Sequence, residues 1–277
     1  MRFTGLLILI IFTLAFLHTD VYALSKGRSE RMPGYKYTKP VKPSGEAKKE
    51  KKEEKKQEEG KTEEKKVLSP KDVLMDMLQS EDRQGILDYK VDVLEVTEDP
   101  LSKKTKSMQK EIYYLAPARI LIMQDGFPVS YIDDYLFEKR MVDYNLEFMP
   151  DETIDSVLCY VVKTSPIEKV FEKNVKYYYV AKDDFRKIRI ESTHVNAAGE
   201  SLTTVTDFTY ILVDGKYTLP LKSESRTYEN RKVQDETRQL LKETITATFM
   251  NWKFNTGLTA DFFNEKLKNS QIYDVVK

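Results

Sequence analysis

Apolar and polar residues alternate with a period of two along much of residues 175–263, a pattern typical of β-strands with one face in the core. β-Branched and aromatic residues alternate with charged or hydroxyl residues, and turn residues separate the runs. The chain contains no catalytic motif in this stretch. The pattern predicts strands at residues 175–181, 186–193, 201–210, 217–225 and 243–252.

The same period occurs upstream, between residues 89 and 162. It predicts strands at 89–97, 107–115, 119–124, 129–134 and 157–162. Asp125-Gly126 is a strong two-residue hairpin signal between two of them, and Asp214-Gly215 is a second such signal further on. Three stretches are less regular: residues 135–142 fit a strand or a short helix, 149–156 is expected to be an acidic loop, and 229–240 a charged hairpin tip or extension.

A helical period precedes the strands. Ser69 is a good N-cap, Pro70 suits the first helical position, and Asp72 resembles a capping box. The apolar stripe that follows, which includes Val73 and Met77, is expected to pack against a sheet. One helix followed by short strands, without a βαβ rhythm, predicts an α+β, mainly β domain with one antiparallel sheet that is strongly curved or partly closed.

The N-terminus has the features of an export signal. Arg2 gives it a positive charge, residues 6–17 are almost wholly apolar, and Val21 and Ala23 are small residues that signal peptidase accepts. The apolar run is shorter than the about 20 helical residues that a bilayer needs. We therefore expect residues 1–23 to be a signal peptide cleaved after Ala23, with an uncleaved membrane anchor as the alternative.

Residues 24–68 are expected to form a linker rather than a domain. Lysine and glutamate make up most of its second half, and such a segment has too few apolar groups to offset the entropy of folding. The sequence therefore predicts a disordered Lys/Glu-rich linker, which serves as a spacer or only as a solubilising tail. The ordered domain is expected to cover residues 69–277.

Composition argues against several classes of function. The chain of 277 residues has 45 basic and 45 acidic residues, so its charge gives no reason to expect nucleic acid as a partner. Its single cysteine, Cys159, lies in an apolar strand and cannot form an internal disulfide. His18 lies in the signal peptide, which leaves His194 as the one histidine of the mature chain. One histidine argues against Ser-His-Asp and Cys-His catalysis and most zinc sites, which leaves a pair of converging carboxylates as the alternative for catalysis. We predict no enzymatic activity, no cofactor and no metal site.

Aromatic residues within the strands are the more informative signal. On the last strand, strict alternation places Met250, Trp252 and Phe254 on one face, and apolar residues occupy the other face as well. A sheet with one face in water does not need two apolar faces. Either helices and loops cover the second face as ordinary core, or the concave side encloses a cavity for an apolar guest.

Five segments occur in a fixed order along the chain: Asp-Ser-Val-Leu-Cys-Tyr-Val-Val at 155–162, Lys-Tyr-Tyr-Tyr-Val-Ala-Lys-Asp-Asp-Phe at 176–185 leading into 186–191, Asp-Gly-Lys-Tyr-Thr-Leu-Pro-Leu at 214–221, Trp-Lys-Phe-Asn-Thr-Gly-Leu at 252–258, and Asp-Phe-Phe at 261–263. In this order they resemble the outer-membrane lipoprotein-sorting family, which comprises the periplasmic LolA-like carriers and uncharacterised relatives. The similarity covers about residues 70–265. A Lys/Glu linker and a charged 229–240 extension are not part of the family pattern.

The resemblance implies an incomplete, highly curved antiparallel barrel with a few helices covering its open side. Proteins of this family hold acyl chains of lipoproteins in that cavity. The implied function is a monomeric carrier in the periplasm of a bacterium with an outer membrane. Its partner would be a lipid or an acylated protein, with a membrane-bound donor or acceptor protein. The alternative is a sensor or protein-interaction module of the same fold.

Arg119 is the candidate for the arginine that latches the lid of the family carriers. The residues expected to line the cavity are Met250, Trp252, Phe254, Phe208, Tyr210, Tyr178, Ile188 and Ile120.

Overall fold

The computed structural model describes residues 67–168, 174–195, 201–233, 236–268 and 270. Their helices are Pro70–Leu78 (α1), Ser80–Arg83 (α2), Asp134–Met141 (α3) and Ala260–Lys268 (α4). Their strands are Asp88–Glu98 (β1), Thr105–Leu115 (β2), Arg119–Gln124 (β3), Phe127–Ile132 (β4), Tyr144–Ile154 (β5), Val157–Pro166 (β6), Val175–Ala181 (β7), Lys187–Val195 (β8), Ser201–Val213 (β9), Tyr217–Val233 (β10) and Glu236–Phe254 (β11).

These strands form one 11-stranded antiparallel sheet, in the order β4-β3-β2-β1-β11-β10-β9-β8-β7-β6-β5. Every neighbouring pair is consecutive in sequence except β1 and β11, so the first and last strands meet in the middle of the sheet. The edge strands β4 and β5 are not paired with each other, so the sheet is an open half-barrel. The fold class expected from the sequence is confirmed.

Local sequence accounts for the ends of these elements. The Ser69 hydroxyl accepts a hydrogen bond from the Asp72 N–H, and the Asp72 carboxylate accepts from Ser69, which completes the capping box of α1. Asp133 caps α3 in a similar way, by accepting from the Leu136 N–H at 2.8 Å. Asp125 and Gly126 have φ of +51° and +82°, as a hairpin turn that follows the strand twist requires.

The helices pack against strands from opposite ends of the sheet. In the largest core cluster, α1, α3 and α4 contact Leu121 of β3 as well as Val162 of β6 and Tyr178 of β7. Since β3 and β6 lie far apart in the strand order, the sheet must curve for both to reach the same helices. We call the face that carries Tyr89, Ile112 and Phe249 the inner face, and the opposite one the outer face.

The outer face of β8, β9 and β10 is charged. Asp207 accepts hydrogen bonds from Arg189, at 2.6 Å from its Nε, and from Arg226 of the next strand. Glu191 and Glu224 lie on the same side by strand alternation. Around Asp207 the outer face is therefore charged.

Two stretches differ from the sequence expectations. Residues 149–156 belong mostly to strand β5 instead of an acidic loop. β5 is an edge strand, so acidic side chains and Pro150, which cannot donate a backbone hydrogen bond, are tolerated there. Residues 135–142, for which a strand and a helix were both open, form α3 because Asp133 caps it.

Other expectations are confirmed or lie outside the described residues. Cys159 is fully buried, as predicted. The hairpin at 229–240 continues β10 and β11, which stay paired from Glu229 to Val233. The predicted signal peptide and nearly all of the predicted linker lie outside the described residues. Within the described ranges, no helix is long and apolar enough to cross a membrane.

Candidate functional site

A cleft lies between the short helix α2 and the inner face of the sheet. Its volume is about 30 Å³, which is room for a few water molecules at most. Aromatic and aliphatic side chains form most of its wall, and polar residues lie at α2 and at the start of β8. The lining residues are Ser80, Glu81, Gln84, Tyr89, Val91, Ile112, Ile120, Arg186, Lys187, Phe208, Tyr210, Thr218, Pro220, Phe249 and Trp252.

Trp252 reaches the cleft because of a β-bulge. The pairing of β11 with β1 slips by one residue between Met250 and Lys253, and Asn251 there has φ of +57°. The extra residue rotates Trp252 onto the face of Phe249, and their ring centroids are 6.4 Å apart. Trp252 also meets Tyr89 edge-on at 5.1 Å. The three rings form a continuous aromatic wall. We call the cleft, with all of its lining residues, the aromatic cleft.

Lys187 places a cation beside this wall. It opposes Val180 of β7, and its Nζ lies 5.4 Å from the centre of the Phe208 ring. Tyr210 positions the lysine by donating its hydroxyl to the Lys187 carbonyl oxygen at 2.6 Å. Lys187 is partly buried by surface area, and its burial lowers the pKa of the ammonium group, against the opposing effect of the Glu81 charge.

The other charged groups of the cleft already have partners. Arg186 is ion-paired with Asp184, and its guanidinium lies 5.5 Å from the centre of the Tyr210 ring. Glu81 accepts a hydrogen bond from the Ser80 hydroxyl at 3.0 Å. Lys187 forms no ion pair within 4.0 Å among the residues that the structure describes. It is therefore the cation in the cleft that is open to a ligand.

Helix α2 covers the cleft through a small number of contacts. The side chain of Gln84 bridges to the backbone of Thr218 in β10, accepting from its N–H at 2.6 Å and donating to its carbonyl at 3.1 Å. Arg83 lies 4.6 Å from the centre of the Phe185 ring, in the turn before β8, and is ion-paired with Asp76 of α1. These side-chain contacts hold α2 against β10 and the turn before β8.

The far part of the inner face has a different chemistry, and we call it the hydroxyl region. It consists of Thr204 and Thr206 of β9 and Ser223, Ser225 and Thr227 of β10. The Thr206 and Ser225 hydroxyls are 2.9 Å apart, and those of Thr204 and Thr227 are 3.1 Å apart. Beside them on the inner face, by strand alternation from Ala247 and Val93, lies a buried ion pair.

That ion pair joins Lys110 to Glu95. Lys110 is 7% exposed and Glu95 4%, and the Lys110 Nζ donates to Glu95 Oε2 at 2.7 Å. Among the residues that the structure describes, the second oxygen of Glu95 has no hydrogen-bond partner. Burial raises the pKa of Glu95, and the neighbouring Lys110 charge acts in the opposite direction.

The structure places half of the expected cavity residues together. Trp252, Phe208, Tyr210 and Ile120 all line the cleft. The other four do not. Met250 opposes Asp92, away from Phe249 and Trp252, and so does not share a face with Trp252 as strict alternation predicted. Phe254 shares the face of Trp252, with ring centroids 6.0 Å apart, but does not line the cleft. Tyr178 packs in the helix-covered core, and Ile188 packs with Cys159 and Tyr179.

Arg119, the expected latch, is not among the cleft-lining residues. It begins β3, and its charge acts on the hydroxyl of Tyr131, whose pKa burial raises. A side-chain link between the end of α2 and the sheet is instead made by Gln84. Sequence inspection missed Gln84 and Lys187, because neither a short helix nor a bulge in β8 leaves a clear pattern in a single sequence.

Comparison with known proteins found similarity in solved structures only: no family model matches the chain, and no curated protein sequence matches it. A domain described as an outer membrane lipoprotein-sorting protein, from Vibrio parahaemolyticus, is 13% identical with a TM-score of 0.47, over 70% of this chain and 97% of that chain. A DUF1329 family protein from Desulfovibrio piger is 12% identical, with a TM-score of 0.45 over 71% and 98%.

A LolA superfamily protein from Nitrosomonas europaea is 13% identical, with a TM-score of 0.41 over 71% of this chain and 98% of that chain. The solved structures found in this way thus include the family that the sequence resembles, as expected.

Proposed function

We propose that this protein is a periplasmic carrier that holds an acyl chain of a lipid or lipoprotein between α2 and the aromatic cleft. The observation that carries the proposal is the wall formed by Tyr89, Phe249 and Trp252, which faces an interior cleft under a short helix. Small-molecule sites are lined mainly by apolar and aromatic side chains with a few placed polar groups, as this cleft is.

Binding would be driven by burial of the acyl chain. Each methylene removed from water contributes about 0.8 kcal/mol, so about ten of them contribute about 8 kcal/mol, the free energy of a micromolar complex. The cleft of about 30 Å³ is far smaller than the about 300 Å³ of an ordinary ligand pocket. Ligand entry therefore requires α2 to move away from β10, and part of the burial energy offsets this opening.

Trp252 provides a direct test, because it is the single tryptophan of the chain. Delipidated protein is titrated with a polyene fatty acid whose absorption overlaps tryptophan emission. We expect saturable energy transfer from Trp252 with one probe per chain. Trp252→Ala should weaken uptake, measured by direct excitation of the probe.

Met250→Ala is the matched control, because Met250 lies on the same strand and does not line the cleft. It should bind the probe as wild type does. An absence of saturable uptake by the wild-type protein would contradict the carrier proposal. An equal loss of probe affinity in Trp252→Ala and Met250→Ala would show that the aromatic cleft is not the binding site.

The role of α2 as a cover makes a separate prediction. Gln84→Ala removes both side-chain hydrogen bonds to Thr218. A net loss of about 1 kcal/mol from the closed state corresponds to roughly fivefold faster probe uptake in stopped flow. Ser80→Ala is the control, because among the described residues the Ser80 hydroxyl bonds to Glu81, within α2, and not to the sheet. Unchanged uptake in Gln84→Ala would exclude α2 as the element that opens.

A further inference from the structure

We infer that the ligand of the aromatic cleft carries an anionic headgroup, and that Lys187 binds this headgroup. The inference rests on the proposed function and names the chemical class of its ligand. Carboxylate and phosphate share the required chemistry, since both accept charge-assisted hydrogen bonds from an ammonium group. The acyl chains of a lipoprotein end in uncharged ester and amide groups, so an anionic lipid is the class that the cleft favours.

The position of Lys187 is the first observation. Its Nζ lies over the Phe208 ring at 5.4 Å, and the Tyr210 hydroxyl bonds its carbonyl oxygen, so the lysine is held on the cleft wall from two sides. A cation over an aromatic ring stays attractive to an anion, because the ring satisfies only one side of the ammonium group. An acyl chain along Phe208 would bring its headgroup to Nζ.

The absence of a protein partner is the second observation. Other partly buried or buried lysines of the described residues have one: Lys110 pairs with Glu95 at 2.7 Å, and Lys222 with Glu224 at 2.9 Å. Arg186, next in sequence to Lys187, pairs with Asp184. Lys187 has no carboxylate within 4.0 Å in the described ranges. An unpaired ammonium group at the edge of an apolar cleft gains most from an anionic ligand.

The charges that face the cleft allow this assignment. Its lining residues include Lys187, Arg186 and Glu81. Asp184 offsets Arg186, and Glu81 acts on Lys187 from beyond the 4.0 Å limit of an ion pair, raising the pKa that burial lowers. A bound anion would act in the same direction as Glu81 and keep Lys187 protonated. Anion binding should accordingly weaken as pH rises towards the lysine range.

The test compares three ligands with the same chain and different headgroups: a fatty acid, an alkyl phosphate and a fatty alcohol. Each displaces a neutral acyl probe from the full-length delipidated protein, followed by energy transfer from Trp252. We expect the wild-type protein to bind at least one of the two anions about tenfold more tightly than the alcohol. The acid and phosphate arms show which anion is preferred.

Three variants assign that preference to Lys187. Lys187→Met should lose the tenfold preference for the anion over the alcohol, whereas Lys187→Arg should keep most of it. Lys222→Met, which removes a lysine outside the cleft, should keep all of it. Equal wild-type affinity for anions and alcohol would overturn the inference and leave the carrier proposal standing. Failure of all three ligands to displace the probe, with no saturable probe uptake, would overturn both.

Discussion

Two lysines of the same sheet, Lys110 and Lys187, differ in what surrounds them. Lys110 lies beside the hydroxyl region and donates to Glu95 at 2.7 Å. Lys187 lies on the wall of the aromatic cleft, beside the ring of Phe208 and with no carboxylate within 4.0 Å in the described part of the chain. One cation is neutralised by the protein, and the other is not.

The same contrast extends to the surfaces around the two lysines. In the hydroxyl region, the side chains of β9 and β10 satisfy one another, as Thr206 and Ser225 do at 2.9 Å. A ligand would gain little there, because every new contact replaces an internal one. In the aromatic cleft, the rings offer apolar area and Lys187 offers a charge. Both lysines are at least partly buried, but of the two only Lys110 has a carboxylate within 4.0 Å among the described residues.

Breaking the Lys110–Glu95 pair should have the largest effect. Lys110→Met leaves the buried Glu95 charge without its partner, and removing one partner of a buried pair costs about 3–5 kcal/mol. The free energy of unfolding, from urea midpoints at pH 7.5, should fall by about this amount. Lys163→Met is the control, because its partner Glu147 is mostly exposed, and the loss should stay below about 1 kcal/mol.

The pH dependence of this variant gives the sign of the charge effect. Burial raises the folded-state pKa of Glu95, so the folded protein holds this proton more tightly than the unfolded chain. Its stability contribution therefore falls as pH rises through the folded pKa. Without Lys110 the folded-state pKa of Glu95 rises further, so the defect should shrink as pH falls towards the ordinary glutamate value near 4.5. A defect independent of pH would mean that lost packing, not lost charge, causes it.

The sequence was sufficient for the elements that carry strong local signals. The capping box at Ser69, the hairpin at Asp125-Gly126 and the bounds of β3 and β7 all follow from residue types and the period of two. Each of these features depends on neighbours within a few residues, which a single sequence contains. The edge strand β5 was missed because its exposed positions have no buried partner to impose alternation.

The cleft was harder to predict because two β-bulges determine it. The first, at Asn251, moves Trp252 to the face of Phe249. The second, between the partners of Tyr179 and Val180, places Lys187 opposite Val180, although alternation with Ile188 and Ile190 would leave Lys187 in solvent. A bulge reverses every later side-chain direction on its strand. Asn tolerates positive φ, so Asn251 was a weak signal, but the β8 bulge has none.

We expect a change in stability of intermediate size at Lys187, which has no ion-pair partner within 4.0 Å among the described residues. Lys187→Met should raise the free energy of unfolding by about 1–2 kcal/mol at pH 7, because a partly buried ammonium without a partner costs stability. Lys222→Met, which removes a surface-paired lysine, should change it by less than about 1 kcal/mol. A stabilised Lys187→Met that no longer prefers anions would show that the lysine is kept for binding at a cost in stability.

The pH dependence again has a definite sign. Burial lowers the folded-state pKa of Lys187, so the folded protein binds this proton less tightly than the unfolded chain. The destabilisation by the buried ammonium charge is complete below the folded-state pKa. It decreases as pH rises from there towards the ordinary lysine pKa near 10.4. The stability advantage of Lys187→Met should therefore shrink between pH 7 and pH 10. A destabilised variant would mean that Lys187 has a structural partner.

The prediction with the smallest expected effect tests whether the hydroxyl groups of the hydroxyl region bond to one another rather than to a ligand. Thr206→Val leaves the buried Ser225 hydroxyl without its partner and should cost about 1 kcal/mol. Thr206→Val combined with Ser225→Ala removes both hydroxyls. The free energy of unfolding of this double variant should return to within about 0.5 kcal/mol of the wild-type value. Neither variant should alter acyl-probe affinity. If the double variant bound the probe more tightly, the ligand would extend along β9 and β10, and the hydroxyl region would belong to the site.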